Sequence, residues 1–539
     1  MRGVSLRVRL AEKAKGRAYT LLLLRVVMGS NMRYGFVIDQ TKCIGCHACT
    51  VACKTEHDVP VGVFRTWVQY VEKGEFPNTR RTFSVMRCNQ CENAPCTKIC
   101  PTAALFHRPG GIVDFDNTRC IGCKACMQAC PYDAIYIDPG DGTAAKCNFC
   151  AHRIDAGIRP ACEIVCPTNA IISGDLDDPS ARIARLVGRE PVSVRKPDQG
   201  TQPKVFYIGV ESINLMPSGA RSERNSIWAD SPDPELIEHS IMRRSAVEAR
   251  KAYDVHHATP WGWKVAAYLW TKSIASGVPL VAAVLLIFGW SGRSPLFDWI
   301  VPVVGGFFTA LTAILLIADL KRPDRFHYLL LKGNPGSWLV RGAYILQVYG
   351  LLLGLWFLAG VFGMSAALPP LWWMCGVAAS AVAGYTAFLF GQCEGRDLWQ
   401  SPLFFWHLLS QAAVCGAALL VVLEVMGGAG RNELAPSTTA MLLAVVANAA
   451  LLGGELGQPS VNADVGRAVH EIVRGRYARQ FWFGTALAGL VLPALLLLAS
   501  KVAADGVGVL ALTAGLLALA GVLSFEAVWV KAGQVVPLS

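Results

Sequence analysis

The sequence has no phosphate-binding glycine loop, no serine or cysteine set beside histidine and acid as a nucleophile requires, and no pterin-binding domain. Those absences give no sign of substrate transformation by this protein alone. Charge is scarce, at 17% of 539 residues, and histidine is scarcer, at 10. Within residues 265–530, Leu, Ala, Val and Gly form long runs and mid-span acids and histidines are few. A clear export signal is missing too. RAYTLLLLRVVMGS, residues 17–30, is interrupted by Arg25, lacks a small-residue cleavage site and is far too short to cross a bilayer. Because MRYGFVIDQTKC from Met32 reads as a strand entering a cysteine motif, the true start is expected at Met28 or Met32, with residues 1–31 an extension. The pair Arg80-Arg81 in NTRRTFSVM imitates a twin-arginine signal, but it is internal and no apolar run follows it.

What is present divides the sequence in two. Its length exceeds what one hydrophobic core usually organises. Residues 1–260 hold nearly all the cysteine and most of the charge, so one half is expected to be soluble and the other not. A net charge of +11 suits nucleic acid or an anionic membrane surface. With apolar runs present, the membrane accounts for it and no nucleic-acid partner is expected.

Sixteen of the 19 cysteines fall between Cys43 and Cys166; Cys375, Cys393 and Cys415 are scattered and read as small apolar packing residues. A disulfide scaffold suits small secreted domains, not a protein of this size. The sixteen form four quartets: Cys43, Cys46, Cys49, Cys53; Cys88, Cys91, Cys96, Cys100; Cys120, Cys123, Cys126, Cys130; Cys147, Cys150, Cys162, Cys166. Structural zinc sites use two short pairs separated by a longer stretch. Three cysteines within seven residues, as in TKCIGCHACTVAC and TRCIGCKACMQAC, instead wrap three corners of a cubane while the fourth reaches a neighbouring cluster. Pro101, Pro131 and Pro167 follow the fourth cysteine in three quartets; Lys54 stands there in the first. Four [4Fe–4S] clusters are therefore expected.

Order and repeat suggest the exchange of ligands. The second and third quartets have the layout of one bacterial ferredoxin, giving Cys88, Cys91, Cys96 with Cys130, and Cys120, Cys123, Cys126 with Cys100. The outer quartets then give Cys43, Cys46, Cys49 with Cys166, and Cys147, Cys150, Cys162 with Cys53. Short strands such as GFVID, GIVDFD and AIYID fit an α+β ferredoxin framework over residues 32–180, followed by a helical and linker region over 181–260.

On these motifs residues 32–220 resemble the four-cluster subunit of molybdenum or tungsten bis-pterin oxidoreductases, such as dimethyl sulfoxide reductase, polysulfide reductase and formate dehydrogenase. All sixteen ligand positions match. The resemblance implies an electron-transfer subunit of an oxidoreductase, working beside a separate catalytic subunit that carries the molybdenum or tungsten.

A helix crossing roughly 30 Å of hydrocarbon needs about 20 apolar residues. Eight stretches qualify, near 265–289, 299–318, 338–362, 371–390, 403–426, 438–456, 481–500 and 507–530. They are apolar all round, which argues against a soluble helical domain, and Trp and Tyr gather near their ends. The fold class expected is thus multidomain: a tandem ferredoxin domain, then an all-α bundle of eight helices over 261–539. Lys321, Arg322, Arg325, Lys332, Arg396, Arg467, Arg474, Arg476, Arg479 and Lys531 lie in the loops after spans two, four and six and in the tail. The opposite loops hold Arg293, Arg431 and Lys501. By the positive-inside rule the first set, and the ferredoxin domain with it, is expected on the cytoplasmic side of the inner membrane. WGWKVAAYLWTKSIASG, ADLKRPDRFHYLLLKGNPGSW and GRDLWQSPLFF resemble the polysulfide-reductase-type membrane anchor, which exchanges electrons with quinone. Only His407 lies within a span, so no haem is expected.

A quinone needs apolar walls, hydrogen-bonding groups at its carbonyls and a proton route. His256, His257, Trp261 and Lys264 before and within span one, with Asp319, Arg322 and Arg325 after span two, are the candidates. The plainer alternative is that the basic residues anchor to lipid headgroups and Asp319 with Arg322 forms an ion pair or helix cap. Glu424, Glu455 and Glu526, acids within or near spans, are functional candidates by default, the plainer alternative being that they reach water from the span ends where they lie. A second function class, ion movement driven by cluster redox changes, would need ionisable residues crossing the bilayer; the mid-span composition disfavours it.

Overall fold

A computed structural model describes residues 32–74, 77–216, 220–222, 249–503 and 505–539. The expectations for residues 1–31, including a start at Met28, lie outside the described residues. Among the described residues, the first half is a strand-and-helix domain of two four-stranded sheets and two small hairpins. Strand β1 (Tyr34–Asp39) carries Phe36, Val37 and Ile38, all fully buried. A strand buried on both faces must be central, and β1 lies between an antiparallel neighbour at Ile171–Asp175 and a parallel one at Val205–Ile208. In the second sheet, strand β2 (Thr66–Lys73) pairs along its length with β3 (Arg80–Arg87). Arg80 and Arg81 thus open a strand, where Arg81 meets Glu72 at 3.2 Å.

The segment expected as helix and linker, 181–260, differs from that reading. It holds a helix, Arg182–Arg189, but it also completes both sheets. Val205–Ile208 joins β1 and Arg250–Tyr253 joins β2, so the cluster domain extends to the edge of the first span. These strands of four residues are too short to stand out in sequence; their reason for forming is the pairing demand of β1 and β2.

Two cysteine motifs fold alike. Gly45 and Gly122 take positive φ, as do His47 and Lys124, each of which opens a short helix, Ala48–Glu56 and Ala125–Ala129. The left-handed residues reverse the backbone so that three cysteines of each motif face one space. At Gly122 a Cβ would also stand 2.6 Å from the Gly142 carbonyl and from the Lys321 side chain, so the close approach to the second half requires glycine.

Among its described residues the second half has eight helices long and apolar enough to cross a membrane: Trp263–Ile287, Leu296–Asp319, Trp338–Val361, Leu368–Gly391, Phe404–Met426, Arg431–Gly457, Gln480–Val502 and Val507–Ala532. The sixth begins seven residues before the expected 438. Its polar first turn, RNELAPS, is helical because Glu433 accepts from the Gly430 N–H at 3.0 Å, capping the helix end. Span one is the core of the bundle, 78% buried. It touches span five backbone to backbone, since a Cβ on Gly277 would fall 1.8 Å from the Ala412 carbonyl.

Candidate functional site

The cysteines converge in groups. Cys100, Cys120, Cys123 and Cys126 line one cavity. Cys88, Cys91, Cys96 and Cys130 line a second, and Cys43, Cys46, Cys49 and Cys166 a third. Cys53 lies within electrostatic reach of Cys147, Cys162 and Cys150. Each group takes three thiols from one motif and one from another. Among the described residues, no three His, Cys, Asp or Glu side chains converge as a single metal ion would need, so the thiols ring a space and not a point.

The donor set suits an iron–sulfur cluster. Burial pushes several of the thiols up, Cys49 and Cys130 to about 11, Cys123 and Cys150 to about 12. Bare thiolates are therefore disfavoured, whereas metal coordination removes the proton outright. Backbone N–H groups already aim at the sulfurs: Ala104 at Cys100 (3.2 Å), Gly122 and Ala144 at Cys120 (3.4 and 3.3 Å), and Ala170 at Cys166 (3.2 Å). Such donors help to set a cluster's potential.

The groups lie in series. Cys49 neighbours Cys162, Cys147 neighbours Cys88, and Cys126 neighbours Cys96. The order is therefore Cys43 group, Cys147 group, Cys88 group, Cys120 group. At the outer end Cys46 is exposed, amid exposed Ile44, Val51, Ile164 and Val165. At the inner end the Cys120 group rests on the helical bundle. Trp261 Nε1 donates to the Cys123 carbonyl at 3.4 Å, and Lys124 pairs with Asp319 at 2.7 Å. Asn334 Nδ2 donates to the Cys100 carbonyl at 3.0 Å.

Beside this junction a cleft is lined by His256, His257, Lys124, Asp133, Tyr136 and Lys321, among others. His257 is the centre of its polar side: Nδ1 lies 2.8 Å from Asp133, and Nε2 lies 3.6 Å from Asp254 and 2.9 Å from Ser539 Oγ. Burial alone would lower its pKa, but the hydrogen bonds with Asp133 and Asp254 prevail and raise it to about 9. The ring is thus a cation near neutral pH.

The remaining sequence candidates lie around the cleft, not on it. Trp261 stacks on Trp399 with ring centroids 5.4 Å apart, and Lys264 Nζ donates to the Ala318 carbonyl at 2.7 Å. Asp319 is taken by Lys124. Arg322 donates to the Asp141 carbonyl at 3.2 Å, and Arg325 to the carbonyls of Asn117 at 2.6 Å and Cys120 at 2.9 Å. Those two arginines fasten the cluster domain to the loop after span two. Arg396, buried, does likewise through Gln128 at 2.8 Å. Part of the basic bias counted for orientation is thus docking chemistry.

Residues 254–537, more than half of the sequence, match the family described as polysulphide reductase, NrfD. This protein belongs to that family. Residues 79–176 match a 4Fe-4S dicluster domain, so an iron–sulfur domain is joined to an NrfD bundle in one multi-pass membrane protein. Among curated relatives, the B component of tetrathionate reductase from Salmonella typhimurium is 44% identical over 202 residues, 37% of this protein and 80% of the relative. The B component of polysulfide reductase from Wolinella succinogenes is 41% identical over 190 residues, 33% of this protein and 98% of the relative. Protein NrfC of Escherichia coli is 42% identical over 182 residues, 33% and 82% respectively.

The NrfD bundle also holds polar groups that the sequence placed near water. Glu455 meets His407 Nδ1 at 2.5 Å, with both side chains buried. Glu424 accepts from Ser437 at 2.8 Å, and Glu526 is fully buried with neither carboxylate oxygen partnered. The expectation that these acids reach water is corrected: helix packing covers the flank that each turns inward. Lys272, deep in span one and also fully buried, is held by the Ala383 carbonyl and Thr386, each at 2.8 Å. Sequence reasoning missed Asp133, Asp254 and Lys124 as partners of the cleft, because charged residues in loops carry no periodic signal.

Proposed function

We propose that this protein passes electrons between a separate molybdenum or tungsten bis-pterin catalytic subunit and the membrane quinone pool through four [4Fe–4S] clusters. The serial order of the cysteine groups, with one end exposed and the other seated on the bundle, is the observation that carries this reading. Clusters, when bound, take and release single electrons. The protein's own residues supply sixteen thiols, exclude water from most of them and hold the line of sites against the membrane.

The exposed apolar residues around Cys46 suit a partner that brings its own redox centre to the outer group. The cleft beside the Cys120 group has an apolar wall from Phe64, Trp67 and Ile135 and a polar wall from His256, His257 and Asp133. That combination suits a quinone ring, with a carbonyl turned to the polar wall and the His257–Asp133 pair serving the proton route. The reading calls for no haem: His407, the histidine inside a span, is engaged with Glu455. The basic loops dock the cluster domain, and by the positive-inside rule this end faces the cytoplasm of the inner membrane.

The test uses Cys100→Ser in the purified full-length protein. Breaking the inner group should stop a naphthoquinol from reducing the other three clusters while dithionite still reduces them. Unimpaired reduction by quinol would refute the order. A second reading, redox-driven ion movement, is favoured by the buried Lys272, Glu526 and His407–Glu455 groups. Proton uptake into vesicles during turnover distinguishes it.

A further inference from the structure

Arg87 ends strand β3 fully buried. Its Nη1 donates to Cys162 Sγ at 3.3 Å, and its guanidinium carbon lies 4.4 Å from the centre of the Phe36 ring. Nε and Nη2 have no hydrogen-bond partner. A guanidinium does not lose its proton in a protein, so this is a permanent buried charge. Such a charge is tolerated only where an anion compensates it. No ion pair with a carboxylate appears for Arg87 among the described residues; its nearest opposite charges are Cys162, Cys147 and Cys49 when ionised. Cys49 belongs to the outermost group and the other two to the next. The unpartnered fork therefore sits at the junction of two thiol groups, where a cluster pair is the anion that completes it.

Lys146 occupies a comparable place one junction inward, buried beside the Cys88 cavity. Its ammonium, however, is already hydrogen-bonded to the carbonyls of Val113 and Cys147. Of the two, only Arg87 has whole nitrogens, Nε and Nη2, without a partner.

We propose that Arg87 is a fixed cation that raises the reduction potentials of the two outer clusters, those of the Cys43 and Cys147 groups. A cluster gains one negative charge on reduction. A positive charge in a dry interior stabilises that added charge with little screening. Electrons then rest at the end of the line remote from the membrane, where the partner docks. The inference depends on the cluster assignment proposed above.

The experiment compares wild type, Arg87→Gln and Arg87→Lys as full-length protein, first by iron and acid-labile sulfide content, then by EPR-monitored redox titration. Absence of clusters in the wild type would sink the cluster assignment itself. With clusters present, R87Q should move the two outer signals to lower potential and leave the Cys120 group unmoved, while R87K stays close to wild type. Unchanged potentials in R87Q, or an equal shift in all four, would overturn the role of Arg87. Should R87Q fail to load its clusters, R87K decides. Outer potentials matching wild type support the charge, and a clear fall assigns the effect to the planar fork and overturns it.

Discussion

Replacing His257 by Gln should remove a pH dependence that the cleft builds into the protein. The ring sits between Asp133 and Asp254, which raise its pKa from 6.5 to about 9 against the opposing effect of burial. At about 1.4 kcal/mol per pH unit, that rise corresponds to about 3 kcal/mol of preference for the protonated ring. The same contacts hold Asp254 down to about 2 although burial pushes it up. The energy thus belongs to the group as a whole and is counted once. Since the folded pKa lies above the unfolded one, the stabilisation is complete below about pH 6.5 and is lost as pH rises through about 9. In wild type the thermal midpoint in detergent and the rate of naphthoquinol oxidation should both fall through that window. In H257Q the midpoint should be lower at neutral pH by the equivalent of about 3 kcal/mol, and the break near pH 9 should vanish. A wild-type break near 6.5, or a break near 9 that persists in H257Q, would refute the reasoning.

Cys166→Ser should abolish the EPR signal of the group containing Cys43 and leave the other three, because Cys166 lines that cavity despite lying in the fourth motif; loss of a different signal would break the grouping. Gly277→Ala should lower the thermal midpoint by at least the equivalent of about 1–3 kcal/mol typical of overpacking, since its Cβ would fall 1.8 Å from a carbonyl of span five. Gly350→Ala, with nothing within 4 Å, serves as the unaffected control.

The parts of this architecture that were readable from sequence are those encoded locally. Cysteines three residues apart announce their chemistry without tertiary context, and an apolar run announces a span. Long-range grouping, as of Cys43 with Cys166, 123 residues apart in the sequence, was readable only because the motifs repeat. The strands Val205–Ile208 and Arg250–Tyr253 were not readable, because each exists to satisfy a partner more than 150 residues away. The same reason hid the cleft's acids: Asp133 follows a cysteine motif and Asp254 precedes a span, and nothing in either neighbourhood says that both meet His257. The docking contacts of Arg322 and Arg325 were hidden for the converse reason. A basic residue after a span looks the same in sequence whether it faces a lipid, a ligand or a docked domain.

Residues 533–539 run between the two halves. Gln534 bridges Gln128 and Trp261, Arg396 and Arg195 hold the carbonyls of Val536 and Leu538, and Ser539 reaches His257. This seam is translated only after all eight helices. The iron–sulfur domain, made first, therefore has an interval on the ribosome in which its membrane-facing side is still open. Until the last helix is inserted and the seam closes, only contacts from earlier loops, such as those of Arg322, Arg325 and Asn334, hold the two halves together.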